Sequence, residues 1–198
     1  GILLNAIAFA TLTLFANSLS AVLTLGATLF YVFVYTKNLK RSTPQNIVIG
    51  GAAGAIPPVV AWAAVTGEVG IPALSLFAIV FLWTPPHFWA LALLLKDDYA
   101  DAGVPMLPVV AGVQATKVSI VRYSWLLFAS TLVLFSTRSV GYVYLGGALV
   151  LGLGLAYFGY RLLRLPDVQG AKAAYLYSLA YLGLLFVVII VDSVVVSL

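Results

Sequence analysis

The run Ile71-Pro72-Ala73-Leu74-Ser75-Leu76-Phe77-Ala78-Ile79-Val80-Phe81-Leu82-Trp83-Thr84-Pro85-Pro86-His87-Phe88-Trp89-Ala90-Leu91-Ala92-Leu93-Leu94 contains no carboxylate, lysine or arginine. Roughly 20 apolar residues suffice to cross a ~30 Å hydrocarbon core, so this stretch reads as one membrane-spanning helix over 71–94. Two features separate it from a plain lipid-facing span. Pro85-Pro86 delete two consecutive backbone donors, and His87, the single histidine of the chain, follows at once. The run then gives way to Lys96-Asp97-Asp98-Tyr99-Ala100-Asp101, which gathers three of the six acidic residues.

The rest of the chain has the same character. It is 63% hydrophobic and 8% charged, with a mean hydropathy of +1.12, which excludes an ordinary soluble domain. Apolar runs near 1–17, 20–36, 45–65, 71–94, 116–136, 140–162 and 172–196 predict about seven helices, hence an all-α transmembrane bundle forming a single membrane domain over 1–198. The first run has neither a basic flank nor a cleavage site, so it is not a secretory signal. The chain opens at Gly1 inside an apolar helical pattern, and the expectation is that further sequence precedes it. The absence of cysteine excludes disulfides and thiolate metal sites. A net charge of +4 points to the lipid bilayer and not to nucleic acid as the partner, because the basic residues fall in loops.

Loop charges alternate along this path. Lys37, Lys40 and Arg41 occupy one loop, Lys96 the next on the same side with Lys117 at its far edge, and Arg161, Arg164 and Lys172 the third; the intervening loops hold only Glu68 and Arg138. Excess Lys/Arg marks the cytoplasmic face of a cell (inner) membrane, so the acidic cluster is expected on the cytoplasmic rim. Tyr31, Tyr35, Tyr157, Tyr160, Tyr175 and Tyr177 fall near helix ends and read mostly as interfacial anchors.

The third helix has a start signal, with Thr43 as cap and Pro44 at the first position. Gly50 and Gly54 form a small-xxx-small pair that reads as a packing face. Asn46, an amide at membrane depth, either packs against a neighbour or lines a cavity. Pro57-Pro58 and Pro85-Pro86 are expected to break their helices around an internal cavity, because freed carbonyls at that depth need protein or water as partners.

Three features could carry chemistry. Asp97 and Asp101 lie four apart, so on a helix they share a face and favour a cation between them. Mg²⁺ is suited to such a cluster because it takes one or two carboxylates plus substrate phosphates. The bland alternative is a solvated loop. Lys40 and Arg41 offer phosphate-binding charge, although topology alone accounts for them. His87, flanked by Trp83, Phe88 and Trp89, either bonds a neighbouring helix, ligates haem iron or moves a proton; the aromatic rings stabilise a cation through their faces or are plain core.

These stretches together resemble the protohaem farnesyltransferases, a branch of the UbiA-type membrane prenyltransferases. The resemblance rests on Tyr35-Thr36, Leu39-Lys40-Arg41, Thr43 through Ala55, Pro57-Pro58 and Trp62 through Gly67. It continues through Trp83 to Leu91, Asp97-Asp98-Tyr99 and Ala102 through Val110. It is dense from about 35 to 110 and only hydropathic beyond 117. It implies nine helices around a cavity that opens to the cytoplasm, with two Asp-rich motifs holding Mg²⁺ on a diphosphate. The second motif maps to Asp97, Asp98 and Asp101; no first motif stands in this chain, so the expectation is a piece lacking about two helices and inactive alone.

The resemblance further implies farnesyl transfer from farnesyl diphosphate to a vinyl group of haem b, giving haem O. Lys40, Arg41 and Asn46 would then serve the diphosphate side, with Tyr35, Trp83 and Tyr99 lining the substrate site. His87 would hold haem or manage the added water. Two other readings stand beside this one: a UbiA-type enzyme acting on an aromatic or quinone precursor, and a membrane transporter subunit with broken helices around a midplane site.

Overall fold

The structure, a computed structural model, describes residues 1–196; residues 197 and 198 of the expected domain lie outside the described residues. Its regular elements, among the described residues, are helices: α1 (Ile2–Phe15), α2 (Ser18–Leu29) with a π-helical continuation (Phe30–Leu39), α3 (Asn46–Ala55), α4 (Pro57–Thr66), α5 (Ile71–Leu94), α6 (Lys96–Asp101), α7 (Leu107–Val110), α8 (Gly112–Ser136), α9 (Tyr142–Arg164) and α10 (Ala171–Val196). Six spans among them are long and apolar enough to cross a membrane, with α2 and its continuation counting as one and α3–α4 as another. The chain is a multi-pass membrane helix bundle.

The helix read first from the sequence is the axis of the bundle. Of its apolar window 56% is buried, against 11–33% in the other spans. It packs on α3, α4, α8 and α10, while α9 closes a group with α8 and α10, and α1 leans on α2. One core joins Ile79 of α5 to Leu127, Leu134, Tyr144, Leu155, Tyr181 and Leu185. Glycine permits the close approach of α9: a Cβ at Gly152 would land on the Phe128 ring, and one at Gly154 on the Tyr177 hydroxyl. Lipid offers no hydrogen bonds, so polar groups inside find partners. Tyr144 Oη donates to the Thr131 carbonyl at 2.8 Å, Tyr177 Oη donates to the Leu151 carbonyl at 2.8 Å, and Thr131 Oγ1 meets Tyr181 Oη at 2.6 Å.

Several expectations are revised in detail. The second span runs to Leu39, and its last stretch is a π-helix: Thr36 Oγ1 donates to the Tyr31 carbonyl at 3.0 Å and Lys40 N to the Tyr35 carbonyl at 2.9 Å. Such wide turns cluster at functional sites. Thr43 does not cap α3. The helix opens at Asn46, and Thr43 Oγ1 accepts from Gln45 N at 3.2 Å within the turn. Pro57 does separate α3 from α4 at Ile56, whereas α5 continues through Pro85-Pro86 as one helix. The flanking α3, α8 and α10 hold it in line, although neither Pro85 nor Pro86 can donate to the Leu82 carbonyl. The segment expected as a loop over 95–116 contains α6 and α7.

Four polar side chains take places that the sequence pattern did not announce. Lys117 is a buried residue of α8 and not a loop charge; its Nζ donates to the Leu165 carbonyl at 2.7 Å, at the negative end of α9. Tyr175 and Tyr177 pack inward and do not anchor at an interface. Asp192 of α10 is 1% exposed, and its carboxylate accepts from Gly141 N at 2.5 Å and Tyr144 N at 2.9 Å, capping the start of α9 from a neighbouring helix.

Candidate active site

The connections 40–45, 95–111 and 165–170 lie at one end of the bundle, because an even number of spans separates them. Lys40 and Arg41 are exposed in the first of these turns. Asp97, Asp98 and Asp101 are exposed on α6, in the second. Among the described residues no group of three or more His, Asp or Glu side chains converges as a metal cage, so the three carboxylates do not close a site by themselves. Tyr99, on the same helix, is half-buried and packs with Val104 and Val109 against Ile47, Ala92 and Met106. This cluster joins the acidic helix to the start of α3 and the end of α5.

Asn46 is placed by that junction. It is 1% exposed, and its Nδ2 donates to the Lys40 carbonyl at 3.0 Å, which ties the basic turn to α3. Its Oδ1 is buried without a partner. An unsatisfied buried acceptor costs about 1–3 kcal/mol, and the indole N–H groups of Trp62 and Trp89 are buried in the same condition.

Below the rim lies a cavity of about 300 Å³, lined by Tyr31 and Tyr35 from the π-helix, Ile47, Gly50, Gly51 and Gly54 from α3, and Val80, Trp83, Thr84 and Phe88 from α5. Gly50 serves helix packing and the cavity together, because a Cβ there would land on the ring of Tyr35 from the neighbouring span. Gly51 instead lets α3 approach Thr84, since a Cβ at that position would lie 3.0 Å from Thr84 Cγ2, while Gly54 faces open space. An apolar groove of about 590 Å³ between α1, α2 and α4 shares Tyr31 and Gly54 with the cavity.

His87 lies behind the Trp83 wall of this cavity, buried between α5 and α10. Its ring stacks on Trp83 (4.2 Å between centroids, 18° between planes) and on Tyr175 of α10 (4.8 Å, 26°), and meets Phe88 edge-on at 5.3 Å. Nδ1 lies 2.8 Å from Ser178 Oγ, and Trp83 Nε1 donates to the Ser178 carbonyl at 2.7 Å. Tyr35 and Trp83 thus line one cavity, His87 stacks on Trp83 from the other side, and Asn46 is joined to Lys40. Lys40 and Arg41 share an end of the bundle with the α6 carboxylates but are not joined to them by a direct bond of the kind that ties Asn46 to Lys40. Ser178 escapes a reading of the sequence; its only signal is a small hydroxyl within the apolar run of α10.

A polytopic α-helical membrane protein with an aromatic cavity beneath a rim of cations and carboxylates is the class that this fold and site define. The model of the UbiA prenyltransferase family matches residues 1–190, and the chain belongs to that family. It is 52% identical over 192 residues to the protoheme IX farnesyltransferase of Gloeobacter violaceus, covering 96% of this chain and 63% of that protein. The corresponding protein of Teredinibacter turnerae is 52% identical over 190 residues, covering 96% and 61%. Protoheme IX farnesyltransferase 1 of Saccharopolyspora erythraea is 52% identical over 198 residues, covering 98% and 63%. The chain therefore spans about three-fifths of the length of these relatives. No solved structure matches it.

Proposed function

We propose that this chain forms part of a protohaem farnesyltransferase, which moves a farnesyl group from farnesyl diphosphate to a vinyl group of haem b and yields haem O. The observation that carries the reading is 52% identity over 96% of the chain to a protein named protoheme IX farnesyltransferase. The cavity is compatible with it. An allylic cation needs a water-poor enclosure with aromatic faces, which Tyr31, Tyr35, Trp83 and Phe88 supply.

In this reading the allylic C–O bond breaks and diphosphate leaves; the vinyl carbon attacks the allylic carbon, water adds to the resulting haem-side cation, and one proton is released. Lys40 and Arg41 lie at the end where the departing charge would develop, and Asn46 Nδ2 holds their turn through the Lys40 carbonyl. Asp97 and Asp98, with Asp101 beside them, would hold Mg²⁺ in partnership with substrate phosphates. Oxygen donors that are exposed and too few to close a cage fit an ion that keeps several waters. When bound, the ion would supply Lewis-acid neutralisation of the diphosphate. Tyr99 would line the substrate entrance. The basic loops favour a cell inner membrane with this rim facing the cytoplasm.

The test is the full-length enzyme in detergent or vesicles with farnesyl diphosphate, Mg²⁺ and either haem b or 4-hydroxybenzoate. Chromatography should resolve haem O from haem b. Prenylation of 4-hydroxybenzoate alone would reject the haem assignment and leave another UbiA-type activity in its place.

A further inference from the structure

We infer that Ser178 is a positioning residue for His87, which fixes its imidazole in the tautomer protonated at Nδ1 and leaves Nε2 as a free base. The argument is a count of protons. A serine hydroxyl carries one proton, and a main-chain carbonyl can only accept. Ser178 Oγ lies 2.6 Å from the Tyr175 carbonyl, so its proton goes there, in the back-bonding geometry common for serine in helices. The contact of 2.8 Å between Ser178 Oγ and His87 Nδ1 then requires the proton to sit on Nδ1.

The same residue holds a second group. Its carbonyl accepts from Trp83 Nε1 at 2.7 Å, so one position on α10 orients two side chains four residues apart on α5. Trp83 and Tyr175 both stack on the His87 ring and leave it little rotational freedom. A neutral imidazole whose Nε2 keeps its lone pair can ligate a metal centre or accept a proton, and which nitrogen is free is set by the bond the other makes. The inference rests on the reading that His87 serves the prenyl-transfer reaction. It adds the device that decides which ring nitrogen keeps its lone pair.

The experiment uses ¹⁵N-histidine labelling of the full-length protein, with His87→Gln identifying the His87 ring signals by difference. Wild type should show a protonated Nδ1 and a bare Nε2. Ser178→Ala should move the ring toward the other tautomer and lower kcat about tenfold, the scale of one lost hydrogen bond. Ser178→Thr should restore both. Ser178→Cys, close in volume and a weak acceptor, guards against a folding failure and should shift the ring in the same direction as alanine. Unchanged ring signals in Ser178→Ala and Ser178→Cys overturn the inference, as does a changed tautomer with unchanged kcat. Full turnover by His87→Gln would instead sink the reading that His87 takes part, a result separable from the tautomer measured for Ser178.

Discussion

The carboxamide of Asn46 donates to the main-chain carbonyl of Lys40 at 3.0 Å, so the first residue of α3 holds the basic turn that precedes it. The donor is its Nδ2, and its single oxygen, Oδ1, is buried beside that bond. Asn46→Ala is expected to loosen the turn. KM for farnesyl diphosphate should rise about tenfold, on the scale of one or two lost hydrogen bonds, with a smaller effect on KM for haem b. Steady-state kinetics with each substrate varied in turn would check this. Equal effects on both would place Asn46 in general packing.

Asp98→Ala should abolish haem O formation in the complete protein while its thermal unfolding stays within the usual range for surface changes, because the residue is exposed on α6. Haem extracts from cells carrying the variant, separated by chromatography, provide the measurement. Normal haem O would argue decisively against a diphosphate role for this helix.

Gly50→Ala places a methyl group on the Tyr35 ring. The ring must swing into the cavity it lines, so turnover is expected to fall at least about tenfold, with a stability loss of about 1–3 kcal/mol from overpacking. Gly54→Ala, which meets open space, should cost far less stability. Paired unfolding curves and activity assays separate the two; equal losses would show that the clash at Tyr35 is relieved by other means.

Asp192→Ala removes the carboxylate that caps α9 and strands the N–H groups of Gly141 and Tyr144. A destabilisation of about 2–4 kcal/mol follows, and the effect on catalysis should vanish at temperatures where the protein remains folded. Unfolding in mixed detergent gives the stability change. A neutral result would mean that water enters at this end and replaces the cap.

How much of this was legible in the sequence follows from what each residue answers to. The spans were readable because hydrocarbon thickness imposes length and apolarity on α5, α8, α9 and α10 regardless of neighbours. The break at Pro57 was readable because proline acts on its own backbone. The same rule overstated Pro85-Pro86, where surrounding helices keep α5 continuous. Tyr35, Trp83 and His87 could be nominated from local pattern; Tyr35 and Trp83 line one cavity, and His87 stacks on Trp83 behind it. Ser178, Asp192 and Lys117 could not, because their roles are set by partners on other helices: His87 and Trp83, the start of α9, and the carbonyl of Leu165. A side chain whose meaning is a tertiary contact leaves little trace in its own neighbourhood of sequence.

The two adjacent prolines inside α5 leave the Leu82 carbonyl with no donor at either of the positions that helical geometry would normally supply. That carbonyl belongs to the residue immediately before Trp83, which lines the cavity. The next main-chain N–H along the helix that could reach it is that of His87, so its stretching vibration would report on the local fit of the proline pair. An isotope-edited ¹³C=¹⁸O label at Leu82 would make the backbone itself an infrared gauge of that fit during a catalytic cycle.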